Sequence, residues 1–475
     1  MSTAIIEEQF DFIPDIDRKC TNEKIKALTK MAQSGDADAQ FNLGELYADG
    51  APGILANETQ AWRWTRMAVD QGHTLAMAHL LSMHDRAIQD GSLYLPPLDG
   101  IDYDDARART IAALEGSVSD ENTSSMFWLG VLLIGVTPKQ DDLRRACEHL
   151  TLASNKGYAP AMSAMGSIQI EDEDDDAYLA DGIALLEKSW AKREAFAGLH
   201  LGLHYLHTAD EPKRGFKYLQ EAAELGSAHA AYQVGLCKIR GHGTTKCFDD
   251  AFRWLKLSTD AHDKEGLFGL FGIGKEKSIP DDVRMIWLKE SAERGHPPAM
   301  RIYGWKLVDD GQDVDLGVDF VTGAAIKDDG YAQLYLGRYS SRGEHLPRNF
   351  KAAVRWFQKS LENECSEANV DYGLALMRGD GIEQDFSQAE EYLTEGLKLG
   401  FPYAAVGLSY VSVYLHQNYV HALGYLLFSF DQMGPPPDNL KCFSKSISHE
   451  MDEEDIASAH DYAGKISEWF MENHT

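Results

Sequence analysis

The segment "HLGLHYLH" places His200, His204 and His207 at i, i+4 and i+7, one stripe of a helix. Imidazoles at that spacing can ligate zinc, or they can stand as a solvated or hydrogen-bonded stripe. "GLFGIGK", Gly269 to Lys275, matches the glycine and lysine spacing of a phosphate loop. Such a loop aims its amides only where a strand turns into a helix. No strand precedes it here and Glu276 replaces the Ser/Thr, so nucleotide binding is not expected. "EDEDDD", Glu171 to Asp176, lacks the glycine spacing of a calcium loop and reads as a solvated turn. No G-x-S-x-G, H-E-x-x-H or C-x-x-C organises the many Ser, His, Asp and Cys side chains, so neither an enzyme nor a cofactor is expected.

The elements that would have to position these residues are legible from bulk properties and periodicity. A chain of 475 residues that is 44% hydrophobic can bury a large core. Its 45 Lys plus Arg against 75 Asp plus Glu give a formal charge of −30, which repels nucleic acid and anionic membranes and attracts basic partners. "MSTAIIEEQFDFIPD" has no basic, apolar leader pattern, and no later segment offers an uninterrupted apolar span. The six cysteines recur at no fixed spacing, which suits reduced thiols. Together these features predict a cytoplasmic protein without a membrane span.

Bulky residues recur at Trp64, Tyr218, Trp254, Trp287, Phe320, Trp356, Tyr392 and Tyr425; from Tyr218 onward the intervals are 36, 33, 33, 36, 36 and 33. Four residues after each comes a small one: Ala68, Ala222, Ser258, Ser291, Ala324, Ser360, Gly396 and Ser429. A knob and a hole therefore repeat together on one helix face. Ahead of each lies a second segment, as in "AQFNLGELY", "AAYQVG" and "AQLYLG", in which an alanine precedes a glycine by five residues. Small residues at that spacing let a neighbouring helix approach closely. Between the two segments "ADGAPGILANE", "SRGEHLPRNF" and "RGDGIEQDF" read as turns ending in helix N-caps. Each unit is thus helix, loop, helix, and no sheet is expected.

These residues resemble the Sel-one-like repeat family, relatives of tetratricopeptide repeats, whose pattern runs A-x-x-x-L-G-x-x-Y, then G-x-G, then A-x-x-W-x-x-K-A-A-x-x-G. The resemblance implies an all-α, right-handed solenoid of about eleven stacked antiparallel helix pairs over residues 38–434. An acidic arm and capping helix would fill 1–37, with a Pro-rich break and capping helix over 435–475. Two units depart from the pattern. Unit two has Leu80-Leu81 in place of the glycine and a long insertion at about 85–104; unit seven has Phe271 there.

Family members look mostly like adaptors whose concave face holds another polypeptide. Carried over residue by residue, the groove positions of the fifth unit are Phe196, Leu199, Leu203, Leu206 and His207. His200 and His204 fall off that set, and no metal site is expected. In later units the groove positions are Tyr232, Arg240, Arg301, Trp305, Tyr331, Arg338, Arg342, Arg378, Tyr403, Tyr410 and Tyr414. Arginine forks bind carboxylates, and Arg, Tyr and Trp dominate interface hot spots, so this stripe suits an acidic peptide or helix. Two plain alternatives stay open. Arg240, Arg342 and Arg378 could merely complement helix C-termini, and the aromatic residues could be inter-repeat core. A second function class is an inhibitor or immunity protein that neutralises a basic toxin or enzyme through the acidic outer face.

Overall fold

The computed structural model describes residues 18–51, 56–89, 98, 100–118, 122–136, 138–170, 176–260 and 264–474. Among them lie twenty-five helices and no strand. The N-terminal arm, residues 171–175 of the acidic run and residues 90–97 of the unit-two insertion fall outside the described residues. The helix Thr74–Gln89 runs past the start expected for that insertion, and its partner begins at Tyr103.

Eleven helix pairs follow one another, from Ala37–Asp49 with Glu58–Val69 to Ala404–Tyr414 with Tyr419–Met433. Where the sequence suggested one array, the chain divides after His296 into two compact units, with seven pairs in the first and four in the second. Pro297 and Pro298 open the helix at this boundary, where missing amide donors cost little. The helix Arg18–Gln33 precedes the first pair. After the Pro-rich break come two helices rather than one, Asp438–His449 and Glu453–His474. The second of these buries Ala459, Ala463, Ile466 and Phe470, with Tyr462 against Gly424.

The repeated residues explain why the pairs form. Asn57, Asn349 and Asp385 each accept the amide of the third residue onward, capping second helices where the loop composition predicted. First-helix glycines lie on the second helix. A Cβ at Gly235 or Gly373 would stand 2.8 or 2.9 Å from Leu255 or Leu393, beside the carbonyls of Ala251 and Ala389. The holes Ala68, Ala222, Ser258, Ser291, Ala324, Ser360 and Ser429 are fully buried.

Serine in a hole does more than leave space. Ser291 Oγ and Ser360 Oγ donate to the carbonyls of Lys264 and Gly330 at 2.7 Å, each at the start of its own repeat's first helix. Ser429 turns instead to Leu426 O at 2.8 Å. Ser360→Ala should therefore cost about 1 kcal/mol in urea unfolding, because a hydrogen bond between the two helices is lost, while Ser429→Ala should cost less. Equal costs would refute the inter-helix role of Ser360.

In both departing units an arginine of the second helix ties back to the first helix. In unit seven Arg284 donates to Phe271 O at 3.2 Å and lies 5.0 Å over the Phe271 ring. In unit two Arg107 reaches Asp85 at 2.6 Å and Tyr103 at 2.9 Å, and it also meets Leu132 O. These larger groups replace close backbone approach with ion pairing and ring stacking.

Within the repeats, the helices two apart in sequence that touch are first helices, as with Ala37–Asp49 and Thr74–Gln89, Thr74–Gln89 and Thr123–Ile134, and Ala368–Arg378 and Ala404–Tyr414. Second helices stand further apart. Within each unit the stack therefore bends toward the first-helix side, which becomes the inner face.

Candidate interaction surfaces

Within each unit a first helix packs on its own second helix and on the second helix before it in that unit, leaving a strip for the inner face. In the second unit that strip carries Trp305, Tyr331, Tyr403 and Tyr414, exposed by 44%, 47%, 45% and 63%. Their sequence-predicted neighbours divide into three groups. Arg301 and Arg338 are clamped between repeats. Arg301 pairs with Asp329 at 3.0 Å over the Tyr331 ring, and Arg338 holds Glu367 and Asp371 at 2.7 and 2.8 Å. These two carboxylates hold the Arg338 proton more tightly than usual. Arg342 and Arg378 are exposed final helix residues, each followed by a left-handed glycine, Gly343 or Gly379. Arg342 has Glu344 at 3.6 Å, and Arg378 makes no ion pair among the described residues. Tyr410 stacks on Phe443 at 4.1 Å and on Tyr414 at 6.4 Å, extending an aromatic ladder into the C-terminal helices.

In the first unit the histidine stripe does not converge. His204 is buried, His207 is exposed 6.0 Å from His242, and His200 leans on Phe196 at 4.3 Å. Burial, with His229 nearby, lowers the His200 pKa to about 4. Leu199 and Leu206 belong to the core, as does the half-buried Tyr232 beside Trp287. Arg240 is exposed and precedes the left-handed Gly241. "GLFGIGK" lies largely within the helix Lys264–Gly274, so its amides bond along that helix rather than around a phosphate.

A second constellation lies on the inner face of the first unit. Glu45 and Asp49 project one turn apart from Ala37–Asp49, and Glu194 caps Ala195–His207. Burial, then the Asp49 charge, raises the Glu45 pKa to about 8, and the same two causes raise Glu194 to about 7. Asp49 is itself raised by its surroundings, with Arg86 opposing. Asp49 is exposed, and Glu45 and Glu194 are half-buried. Burial and Arg86 lower the His79 pKa to about 3, and burial with the three carboxylates raises Tyr158. The positions just past the L-G pair that locate the groove in later units would have located Glu45 and Asp49 in the first. Glu194 and Tyr158, outside the repeat core pattern, left no such signal.

The Sel1 repeat model matches residues 37–73, 123–158, 198–227, 228–263, 330–364 and 366–401. The chain carries Sel1 repeats. Its Sel1 matches fall on helix pairs of both units, and repeats of this kind form an interaction fold. DAP3-binding cell death enhancer 1 of Rattus norvegicus is 26% identical over 200 residues, 40% of this chain and 39% of that protein. The Sel1-repeat chain thus matches well under half of that relative's length. Similar solved structures include c5321, a protective antigen of uropathogenic Escherichia coli with an SLR fold. That chain is 19% identical with a TM-score of 0.48, and 94% of each chain is covered. A Sel1 repeat protein from Oxalobacter formigenes is 19% identical over 63% of this chain and 90% of that one, with a TM-score of 0.38. Immunity protein Pa5087 from Pseudomonas aeruginosa is 18% identical over 43% and 81%, with a TM-score of 0.33. Among the described residues no helix is long and apolar enough to cross a membrane.

Proposed function

We propose that this protein is an adaptor whose second unit captures a segment of a partner polypeptide on its inner, first-helix face. One observation carries the reading. Between residues 195 and 414 every exposed aromatic among the described residues, Phe196, Trp305, Tyr331, Tyr403 and Tyr414, stands on a first helix or its N-cap. Among the second helices an exposed ring appears at Tyr419, 37% exposed at the start of the last one. Wide aromatic faces left in water on one side of a repeat stack match the hot-spot chemistry of interfaces. Arg342 and Arg378 flank them with guanidinium groups suited to side-chain or terminal carboxylates. Arg301 and Arg338 lend rigidity, since their clamps join consecutive repeats and lower the ordering cost of binding.

The test is capture from source-cell lysate by the tagged full chain, comparing wild type with Trp305→Ala/Tyr403→Ala and with Arg378→Glu. Each aromatic truncation should weaken a groove-bound partner by about 2 kcal/mol, so the double variant should lose it from a stringent wash. Arg378→Glu should select against acidic partners. Unchanged capture by both variants, with circular dichroism intact, would discard the inner face of the second unit as the binding surface.

A further inference from the structure

We propose, resting on that reading of the second unit's inner face, that the partner segment is an extended acidic one. Two of its carboxylates, three residues apart, sit on Arg342 and Arg378, and an aromatic side chain three residues further on packs against Tyr414. The repeat brings these positions into line. Arg342, Arg378 and Tyr414 end the consecutive first helices Gly330–Arg342, Ala368–Arg378 and Ala404–Tyr414, at intervals of 36 residues. Equal register puts them in one row along the same edge of the strip.

The row carries positive charge that the chain leaves unneutralised. Among the described residues Arg378 makes no ion pair, not even with Asp380 or Glu383 in the loop that follows it. Arg348 Nη2 donates to Arg342 O at 2.8 Å, which sets a second exposed guanidinium beside Arg342, and Arg348 makes no ion pair among the described residues either. Glu344 stands 3.6 Å from Arg342 with both side chains more than half exposed. Such a surface pair is worth little and gives way to a better-placed carboxylate. Arg301 and Arg338, by contrast, already hold their carboxylates. The formal charge of −30 acts only weakly beyond about 8 Å at physiological salt, so this local excess of guanidinium decides which side chains the row accepts.

Past Arg378 the row ends in rings. Phe386 stacks on Tyr414 at 6.0 Å, Tyr414 on Tyr410 at 6.4 Å and Tyr410 on Phe443 at 4.1 Å. Tyr414 is 63% exposed, so an incoming ring can meet its edge. Burial and the neighbouring Tyr414 raise the Tyr410 pKa while the Arg378 charge opposes them, which agrees with a guanidinium beside the ladder.

Repeat spacing selects the shape of the segment. Ala368–Arg378 touches Ala404–Tyr414, and touching helices lie about 8–10 Å apart. A polyproline-II segment rises about 3.1 Å per residue and returns to the same side every third residue, an advance of about 9 Å. Every third side chain therefore faces a new repeat.

The experiment titrates the full chain into the fluorescein-labelled, amidated peptide Gly-Glu-Ser-Ser-Glu-Ser-Ser-Phe-Gly and follows anisotropy at physiological salt. The same residues with the two glutamates adjacent should bind at least fivefold more weakly. Arg342→Gln/Arg378→Gln should weaken the spaced peptide at least tenfold, whereas Lys351→Gln/Lys398→Gln, which removes the same charge from exposed second-helix positions, should change it less than twofold. Equal binding of the two peptides, equal weakening by the two double variants or no binding of the spaced peptide would overturn the proposal. Tighter binding of a peptide with glutamates seven apart would overturn it in favour of a helical occupant. Lysate capture separates this proposal from the reading beneath it. A partner lost by Trp305→Ala/Tyr403→Ala but kept by Arg342→Gln/Arg378→Gln would overturn the acidic register and leave the aromatic face standing; a partner kept by both would remove the two together.

Discussion

Alanine at Gly304 should lower the melting temperature by roughly 2–8 °C, whereas alanine at Gly464 should raise it slightly. Intrinsic propensity alone would make both substitutions stabilising, since alanine is favoured over glycine inside a helix by about 1 kcal/mol. Their surroundings differ. A Cβ at Gly304 would lie 2.6 Å from Gly317 O, 2.9 Å from Phe320 Cβ and 3.1 Å from Val321 Cγ2 on the partner helix Val314–Ile326. A backbone carbonyl cannot rotate away, so the two helices must separate along their contact. Overpacking of this kind costs about 1–3 kcal/mol, sometimes more, and exceeds the propensity gain. Gly464 lies in Glu453–His474 with nothing within 4 Å of a built Cβ, so only the gain remains. Both positions lie in the second unit, which makes the pair an internal control. Calorimetry showing Gly304→Ala as stable as wild type would mean that the helix crossing yields, and the account of the repeat glycine would be wrong.

The second large effect is a loss of stability between pH 6.5 and 8 that belongs to Glu45 and Glu194 of the first unit. Glu45 titrates near 8 when folded and near 4.5 when unfolded. Across that window the folded chain holds the proton and the unfolded chain does not, so stability is greatest below 4.5 and declines as pH rises. Glu194, raised to about 7, acts in the same direction over a shorter range. The buried imidazoles act oppositely. His79 near 3 and His200 near 4 are neutral when folded but protonated when unfolded below 6.5, so their contribution grows as pH rises to that point. The two trends offset between about pH 4.5 and 6.5, and above 6.5 the carboxylates act alone. For Glu45, which is partly buried, the fall from pH 6.5 to 8 should be about 1–2 kcal/mol after allowance for solvent screening. Urea midpoints at both pH values check this. Glu45→Gln should be more stable than wild type at pH 8 and should flatten the slope; a wild type indifferent to pH, or a variant that keeps the slope, would sink the assignment.

Repeat length, the knob and hole positions, the caps at Asn57, Asn349 and Asp385 and the eleven helix pairs were all legible in the sequence. Each depends on contacts within one pair or between consecutive pairs, and such contacts recur in the chain at a fixed spacing. The two irregular units were visible only as departures. That Arg284 and Arg107 would tie the two helices of these units together depended on which side chains came to face Phe271 and Asp85.

The candidate sites were partly legible. Periodicity placed Trp305, Tyr331, Tyr403 and Tyr414 on first helices, and the structure leaves them in water. It could not separate the exposed Arg378 from Arg338, because pairing with Glu367 and Asp371 depends on the helix of the next repeat. Nor could it distinguish the inner-face positions Leu199 and Leu206 from core. The closure of the first unit lay furthest out of reach. It joins Gly50 to Gly226 and Glu58 to Arg294 across several repeats. The local pattern determines each helix pair. How many pairs must accumulate before the stack meets itself, and which carboxylates then share one space, depends on small rotations summed over every repeat, which tertiary packing alone decides.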